Sequence, residues 1–274
     1  MSMPRPRFFD LVSRRFYGNF SAQFPMHSLF NSDKSAPVTV HDPVRADVPE
    51  LRGAELAAIY YGRRRAGDFY DFLRVGPDRV LFGLLDAAGG LEETRAIISA
   101  AQRTFRTAGA ELFAGQEVNE ADAIMELCQQ LNQTVLHAAQ GVHSCPAFAG
   151  CYNEGLGVVF YFNAGHTPGL LRDHSGVSEL PATGLPLGLF SHLTSNAGMV
   201  ALEPGAVLLI ASRGIVEGTC KTEEFGLDRV KEVLAKFTGT AQNMGLSLLE
   251  QEQRFMCAPP THDDVTVLTL ARNA

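Results

Sequence analysis

Residues 79–90 read Arg-Val-Leu-Phe-Gly-Leu-Leu-Asp-Ala-Ala-Gly-Gly, an apolar run that ends in an acid followed by small residues. A run of this length and composition predicts a core strand over Arg79–Leu85. Asp86 would then stand at the end of a buried strand, where a carboxylate is costly to desolvate unless a positive charge meets it. This segment therefore predicts a core strand with a charged site at its end.

The rest of the chain combines strand-like runs with blocks of helix. Glu92–Ala108 has apolar residues at helical spacing, and a second helix begins after Asn119, an N-cap residue type, with Asp122 in its first turn. Shorter helices are expected at about 223–236 and 242–254. Strands are expected at 55–61, 79–85, 147–152, 157–163, 168–172, 198–202, 206–211 and 265–270. Strand runs interrupted by helices favour an α+β sandwich over a parallel βαβ sheet.

Composition limits the classes of function. The 274 residues are 46% hydrophobic and 19% charged, which excludes a disordered or collagenous chain, and the net charge of −7 argues against a nucleic-acid partner. No apolar run approaches the ~18 residues of a membrane helix. The N-terminus lacks the apolar core of a secretion signal, so we expect a cytoplasmic protein without a transmembrane segment. Five cysteines without a C-x-x-C pair favour free thiols over disulfides or a zinc site.

The sequence divides into an N-terminal arm, residues 1–50, and a main domain, residues 51–274. The arm places arginines among aromatic residues, as in the run Arg14-Arg15-Phe16-Tyr17, and continues as a polar stretch that contains prolines. In one interpretation its aromatic side chains pack on the main domain. In the other, the arm docks on a membrane surface or on a partner.

Four more acids stand near expected strand ends. Asp68 and Asp71 belong to Gly67-Asp68-Phe69-Tyr70-Asp71, and Asp263 and Asp264 directly precede the last strand. Carboxylates that converge from separate strand ends can hold a hard divalent cation such as Mg²⁺ or Mn²⁺. The alternative is that each aspartate only caps a turn.

Seven segments, in order along the chain, resemble the SpoIIE-like branch of the metal-dependent (PPM, type 2C) protein serine/threonine phosphatases. They are Gly67-Asp68-Phe69-Tyr70-Asp71, Asp86-Ala87-Ala88-Gly89, Ala164-Gly165-His166-Thr167-Pro168, Gly184-Leu185-Pro186-Leu187-Gly188, Leu202-Glu203-Pro204-Gly205, Glu223-Glu224-Phe225-Gly226 and Asp263-Asp264-Val265-Thr266. The similarity extends from about Gly53 to Leu270. Each segment alone is weak evidence, but their shared order makes the resemblance specific.

The resemblance implies a four-layer αββα sandwich with two Mn²⁺ or Mg²⁺ ions at one edge, where activated water attacks phosphoserine or phosphothreonine. It implies that Asp86 and Asp263 are catalytic metal ligands, with Asp86 bridging the two ions and Asp263 holding the second one. The Ala87 carbonyl would lie nearby as a further ligand, Asp68 would bind through water, and His166 would be a structural loop residue. Family members often act in partner switching, which implies a phosphoprotein partner such as an anti-sigma-factor antagonist.

The sequence departs from the family pattern at one metal ligand. Where the family has an aspartate after strand 206–211, this chain has Arg213, and a serine and a lysine usual after Asp86 are replaced by Ala88 and Gly90. At about 4 Å and an effective dielectric near 20, a unit charge pair is worth roughly 4 kcal/mol, so attraction toward a cation becomes repulsion. We therefore expect one Mn or Mg ion at most, or none.

Three arrangements of Arg213 are open. Its guanidinium could contact Asp86 or Asp263 and replace a metal, leaving a binding module without catalysis. One ion could remain at Asp86 while Arg213 binds the substrate phosphate, or Arg213 could turn to solvent with one metal site lost. Arg63, in the run Arg63-Arg64-Arg65, is a second candidate for phosphate binding, unless that run is only a solvated turn.

These observations predict a phosphatase-fold signalling protein that binds a phosphoprotein and whose catalysis is impaired or lost. The alternative is an active metal-dependent protein serine/threonine phosphatase that uses an altered or single-metal site. A third possibility is an unrelated α+β domain in which the motifs coincide by chance. The sequence predicts no oligomeric state.

Overall fold

The computed structural model describes residues 46–61, 67–87, 89, 91–139, 144–193, 196–257 and 264–274. The chain divides into two units, residues 1–39 and residues 40–274, and all described residues belong to the second. The expected division into an arm, 1–50, and a main domain, 51–274, stays a prediction because residues 1–45 lie outside the described ranges.

The described residues form strands and helices in mixed order. The strands are β1 Ala54–Tyr61, β2 Asp68–Arg74, β3 Arg79–Asp86, β4 Ala147–Asn153, β5 Val158–Ala164, β6 Gly169–Asp173, β7 Gly176–Leu180, β8 Gly198–Ala201, β9 Val207–Ala211, β10 Thr219–Cys220, β11 Glu223–Glu224 and β12 Val265–Arg272. The helices are α1 Leu91–Leu112, α2 Glu120–Ala138, α3 Arg213–Val216, α4 Gly226–Lys236 and α5 Ala241–Phe255. All the strands and helices expected from the pattern are present, with shifted ends.

Two of these shifts can be described in physical terms. Helix α1 continues past Ala108 through Gly109, where the missing side chain lets the helix lie against the sheet: a Cβ on Gly109 would lie 2.6 Å from the Leu81 side chain. Helix α4 begins at Gly226 rather than 223, because Glu223 and Glu224 pair with β10 instead. The N-cap prediction at Asn119 is confirmed, since its side chain accepts hydrogen bonds from two backbone N–H groups of α2.

Two antiparallel five-stranded sheets stack face to face. The first has the order β1-β12-β9-β6-β7 and the second has the order β2-β3-β4-β5-β8. Helices α1 and α2 cover the second sheet, and α5 packs on β1 and β12 of the first. The predicted four-layer αββα sandwich is therefore confirmed.

Strand β3 lies at the centre of this packing. Val80, Phe82 and Leu84 point into the core between the two sheets, whereas Leu81 and Leu85 point into the core under α1 and α2. Because side chains alternate between the two faces of a strand, burial of both faces requires the continuous apolar run seen in the sequence. The strand thus delivers Asp86, its last residue, to one edge of a rigid sandwich.

The cysteines correct one expectation. Cys128, Cys145 and Cys151 are buried free thiols as expected, but Cys220 and Cys257 form a disulfide, so the expectation of free thiols is wrong for this pair. They are 37 residues apart, and the packing of α5 brings them together.

Within the described ranges, no helix has both the length and the apolar character needed to cross a membrane.

Glu252 of α5 is a buried acid of unusual environment. It has no exposed surface, and neither carboxylate oxygen has a hydrogen-bond partner among the described residues. Burial raises the pKa of this carboxyl from 4.5 to about 7. The native state therefore holds this proton more tightly than the unfolded chain does. The neutral Glu252 side chain therefore costs no stability below about pH 4.5. Its ionisation lowers the free energy of unfolding by about 3 kcal/mol as the pH rises from there through 7.

We expect Glu252→Gln to raise the free energy of unfolding by about 2–3 kcal/mol near pH 8 and to leave it almost unchanged near pH 4.5. The amide keeps the volume of the side chain but never ionises. Urea denaturation at both pH values measures the difference. Glu232→Gln, on the exposed face of α4, is the matched control and should change stability little at either pH. An equal change at both pH values would contradict the role given to Glu252.

Candidate functional site

Two aspartates face each other at one edge of the second sheet. The antiparallel register of β2 and β3 pairs Asp68 with Asp86. The buried Asp86 also donates its backbone N–H to the Pro146 carbonyl at 2.9 Å, which fixes the end of β3. From the other sheet, the Thr266 hydroxyl of β12 donates to Asp68 Oδ2 at 2.8 Å. The structure thus brings two of the predicted site residues together.

The two carboxylates affect each other electrostatically. Burial raises the pKa of Asp68 to about 7, with a further contribution from the negative charge of Asp86. Hydrogen bonds from the Ser212 and Thr266 hydroxyls oppose that shift. Two close acids in a partly buried position favour a proton or another positive charge between them.

Arg213 supplies a positive charge at this edge. It is the first residue of α3, directly after Ser212 and the end of β9. Its Nη2 atom lies 3.2 Å from Asp86 Oδ2, and 46% of its side chain remains exposed. The structure therefore contains the contact between Arg213 and Asp86 that the first of the three arrangements requires.

Two glycines allow the backbone around the aspartates to come close. Ala87 donates its N–H to the Gly67 carbonyl at 3.1 Å, and a Cβ on Gly67 would lie only 2.2 Å from the Ala87 carbonyl oxygen. A Cβ on Gly214 would lie 2.3 Å from the carbonyl oxygen of Asp264. Any side chain at either position would therefore push apart the segments that carry Asp68 and Asp86 or Arg213 and Asp264.

Sequence reasoning gave no role to Ser212 and Thr266, which hold this edge together. The Thr266 backbone N–H donates to Ser212 Oγ at 3.0 Å, and the Ser212 N–H donates to the Thr266 carbonyl at 2.8 Å. Both side chains are buried. The motif Asp263-Asp264-Val265-Thr266 contains Thr266, but the acid that its hydroxyl meets, Asp68, lies 198 residues away, and no local pattern indicates that contact.

Some predicted site residues are not described. Asp263 and Arg63 lie outside the described residues, as do Ala88 and Gly90. The roles of Asp263 as a metal ligand and of Arg63 as a phosphate ligand stay predictions.

The expectation that Asp71 stands near a strand end is wrong. It is the fourth residue of β2, 1% exposed, and the Arg106 guanidinium donates to both its carboxylate oxygens at 2.7 and 2.9 Å. Gln102 adds a third hydrogen bond at 3.2 Å. Asp71 therefore binds α1 to the sheet and lies apart from the Asp68–Asp86 pair.

His166 has the structural role expected of it. Its backbone N–H donates to Asn163 Oδ1 at 2.8 Å, and its Nδ1 lies within hydrogen-bond distance of Thr167. Burial lowers the pKa of the imidazole to about 4, so the ring is neutral near pH 7. A neutral, buried ring is poorly suited to donate a proton to a leaving group.

The metal-ligating side chains at this sheet edge can be compared with the ligands that a two-metal centre requires. Asp68 and Asp86 offer the oxygen ligands that Mg²⁺ and Mn²⁺ prefer. Among the residues that the structure describes, however, no three His, Cys, Asp or Glu side chains are arranged to hold a metal ion. The Arg213 guanidinium also contacts one oxygen of Asp86. The described donors at this edge are thus two carboxylates, one of which already contacts a guanidinium.

A four-layer sandwich with paired aspartates at one sheet edge is the architecture of the PPM (type 2C) protein phosphatase class. Within that class the chain belongs to the SpoIIE family, because residues 76–273 match the family model described as Stage II sporulation protein E (SpoIIE). The resemblance found in the sequence is therefore confirmed.

Two curated relatives support the assignment. Protein IcfG of Synechocystis sp. is 24% identical over 249 residues, which cover 82% of this chain and 39% of that protein. Phosphoserine phosphatase RsbP of Bacillus subtilis is 24% identical over 189 residues, which cover 69% of this chain and 43% of that protein. The chain thus spans about two fifths of the length of these relatives.

Solved structures share the fold. The RsbU and RsbW domains of Rv1364c from Mycobacterium tuberculosis match with a TM-score of 0.66 at 23% identity, covering 83% of this chain and 63% of that one. The PP2C phosphatase domain of SpoIIE from Bacillus subtilis, with a fragment of its regulatory domain, also has a TM-score of 0.66, at 16% identity, covering 81% and 64%. At these identities the likeness shows the fold.

Proposed function

We propose that this chain is a SpoIIE-family signalling protein that binds a phosphoprotein and whose phosphatase activity is impaired or lost. The observation that supports this proposal is the 3.2 Å contact between Arg213 Nη2 and Asp86 Oδ2. The family resemblance assigns a metal-binding aspartate to position 213 and a bridging role to Asp86. The chain thus places its own cation on the carboxylate that would bridge two metal ions.

The charge at Arg213 opposes a second ion. At about 4 Å and an effective dielectric near 20, each unit charge pair is worth roughly 4 kcal/mol, although solvent around the half-exposed side chain reduces this. A divalent cation beside Asp86 would meet repulsion where the family pattern provides attraction. One Mn or Mg ion at most, or none, is the cofactor content we propose.

The same arginine can bind a phosphate. Arginine presents a planar set of donors that matches phosphate oxygens. The Arg213 guanidinium contacts Asp86 through Nη2 and lies 3.9 Å from Glu217 through Nε, while 46% of the side chain remains exposed and can meet a phosphate. Arg63 would be a second phosphate ligand. The named phosphoserine phosphatase relative and the structure that joins RsbU and RsbW domains support a partner of the partner-switching type, such as an anti-sigma-factor antagonist. A cytoplasmic location is part of the proposal and rests on the sequence.

An active phosphatase with an altered or single-metal site is the alternative. Asp68 and Asp86 remain adjacent, and Asp263 would add a third carboxylate. A single bound ion would supply positive charge to the phosphoryl oxygens and lower the pKa of water. Arg213 would then orient the phosphate beside Asp86.

Hydrolysis of a synthetic phosphoserine peptide, with and without Mn²⁺, separates the two. We expect the protein to show no Mn²⁺-dependent turnover above that of Asp86→Asn. We expect fluorescence anisotropy to detect binding of the labelled peptide, weakened about tenfold or more in Arg213→Gln because a charge-assisted contact is lost. Arg254→Gln, an exposed change on α5, is the control. Turnover that requires Mn²⁺ and disappears in Asp86→Asn would establish the alternative.

A further inference from the structure

The Cys220–Cys257 disulfide lies outside the phosphatase motifs and at the surface. Cys220 is partly buried in β10, and Cys257 is exposed just after the end of α5. The two Cα atoms are 4.9 Å apart, within the range of ordinary disulfides. A small thiol or disulfide can therefore reach the bond from solvent.

This bond connects two segments that lead to the candidate site. Cys220 follows Arg213 by seven residues, and Cys257 precedes Asp264 by seven residues. The two segments meet again at the site, where Gly214 lies against the Asp264 carbonyl. The same two stretches of chain are thus linked twice, by the disulfide at Cys220 and Cys257 and by the close approach of Gly214 to Asp264 at the site.

The hairpin that carries Cys220 is short. The pair β10–β11 contains only two residues in each strand, and so short a hairpin is marginal by itself. Lys221, in its turn, has a φ of 58°, which is rare for a residue other than glycine. On the β11 side, the Phe225 N–H donates to the Gly218 carbonyl at 2.7 Å, and the Arg229 guanidinium donates to the Glu224 and Phe225 carbonyls at 2.7 and 2.9 Å and contacts Glu223. On the β10 side, the disulfide is the covalent link that joins Cys220 to the end of α5.

We propose that Cys220 and Cys257 are a reversible thiol–disulfide site whose oxidation, by a small disulfide of the glutathione class, orders the segment from Arg213 to Phe225. In the oxidising direction, one thiolate attacks the small disulfide and releases one small thiol. The second thiolate then attacks the mixed disulfide and releases the other. Two protein thiols are oxidised, one small disulfide is reduced to two thiols, and the two protons lost by the protein thiols end on the two small thiols.

The remaining cysteines provide an internal reference. Cys128, Cys145 and Cys151 are buried, and burial raises the pKa of the Cys145 thiol to about 12 and those of the other two still further. Thiols with so little thiolate react slowly. In the folded protein, alkylation should therefore report mainly on Cys220 and Cys257.

The first experiment equilibrates the full chain in buffers of graded reduced and oxidised glutathione, followed by alkylation and peptide mass spectrometry. Cys220 and Cys257 should become protected together, along one two-electron titration curve, while the three buried thiols stay unmodified. Independent titration of the two, or a bond that dithiothreitol leaves intact in the folded protein, overturns the proposal.

The second experiment measures backbone hydrogen exchange in both redox states. Reduction should speed exchange in residues 213–225 by about tenfold or more and leave the core strand β3 unchanged. Cys220→Ser/Cys257→Ser should exchange like the reduced protein in both buffers, and Cys257→Ser alone should match it. Equal exchange in 213–225 in both states overturns the ordering role.

A consequence for phosphate binding rests on the proposed function. If Arg213 binds phosphate, oxidation should change the affinity for the phosphoserine peptide, and the double serine variant should lose that dependence. If the peptide does not bind at all, the proposed function fails. The thiol titration and the exchange measurements still decide the redox proposal independently.

Discussion

Arg213→Asp is expected to raise the affinity of the chain for Mn²⁺ by at least about a hundredfold. The change removes a positive charge that lies 3.2 Å from Asp86 and adds an oxygen ligand at the same place. At an effective dielectric near 20, each unit charge pair at about 4 Å contributes roughly 4 kcal/mol, so even a heavily screened reversal should exceed a hundredfold. Isothermal titration calorimetry with MnCl₂ measures the affinity directly.

Matched variants separate charge from coordination. Arg213→Lys keeps the charge and should bind Mn²⁺ as weakly as the unchanged chain. Arg213→Gln removes the charge without adding a carboxylate and should give an intermediate affinity. If Arg213→Asp binds no better than Arg213→Lys, the guanidinium does not control cation binding, and the proposed reason for impaired catalysis is wrong.

Arg106→Leu is expected to lower the free energy of unfolding by about 3–5 kcal/mol, because it leaves the Asp71 carboxylate buried without the cation that pairs with it. Asp71 is 1% exposed and receives two hydrogen bonds from Arg106. Truncating one member of a buried pair costs far more than the pair contributes relative to apolar residues. Urea denaturation near pH 7 gives the difference.

Two variants test the cause of that loss. Arg103→Leu changes an exposed arginine on the same helix and should alter stability by less than about 0.5 kcal/mol. Adding Asp71→Leu to Arg106→Leu removes the stranded carboxylate and should restore most of the loss. A loss below about 1 kcal/mol in Arg106→Leu would mean that Asp71 finds other partners or that water reaches it.

Only the family resemblance separated the roles of Asp68 and Asp71, because the local residue pattern treats them alike. Both belong to one short motif, but they stand three residues apart on a strand, and an odd spacing places side chains on opposite faces of a sheet. One face of β2 turns Asp71 toward α1, and Asp68 meets Thr266 of the other sheet. The strand assignment of 68–74, which sequence reasoning missed, was the information needed.

The disulfide shows a second limit of the same kind. The spacing of Cys220 and Cys257 carries no pairing signal, because their proximity depends on where α5 ends relative to β10. The odd count of five cysteines favoured free thiols, yet three buried thiols and one bond satisfy the same count.

The amino-acid sequence by itself determined the layers of the sandwich and the family. Periodicity and capping are local properties, so β3 and the helix after Asn119 could be assigned from neighbouring residues, and the ordered motifs predicted Asp68 and Asp86 as site residues. Tertiary structure alone decided which acids meet. Contact between Arg213 and Asp86 joins residues 127 positions apart, and such distances are set by sheet register and packing, which no local pattern encodes.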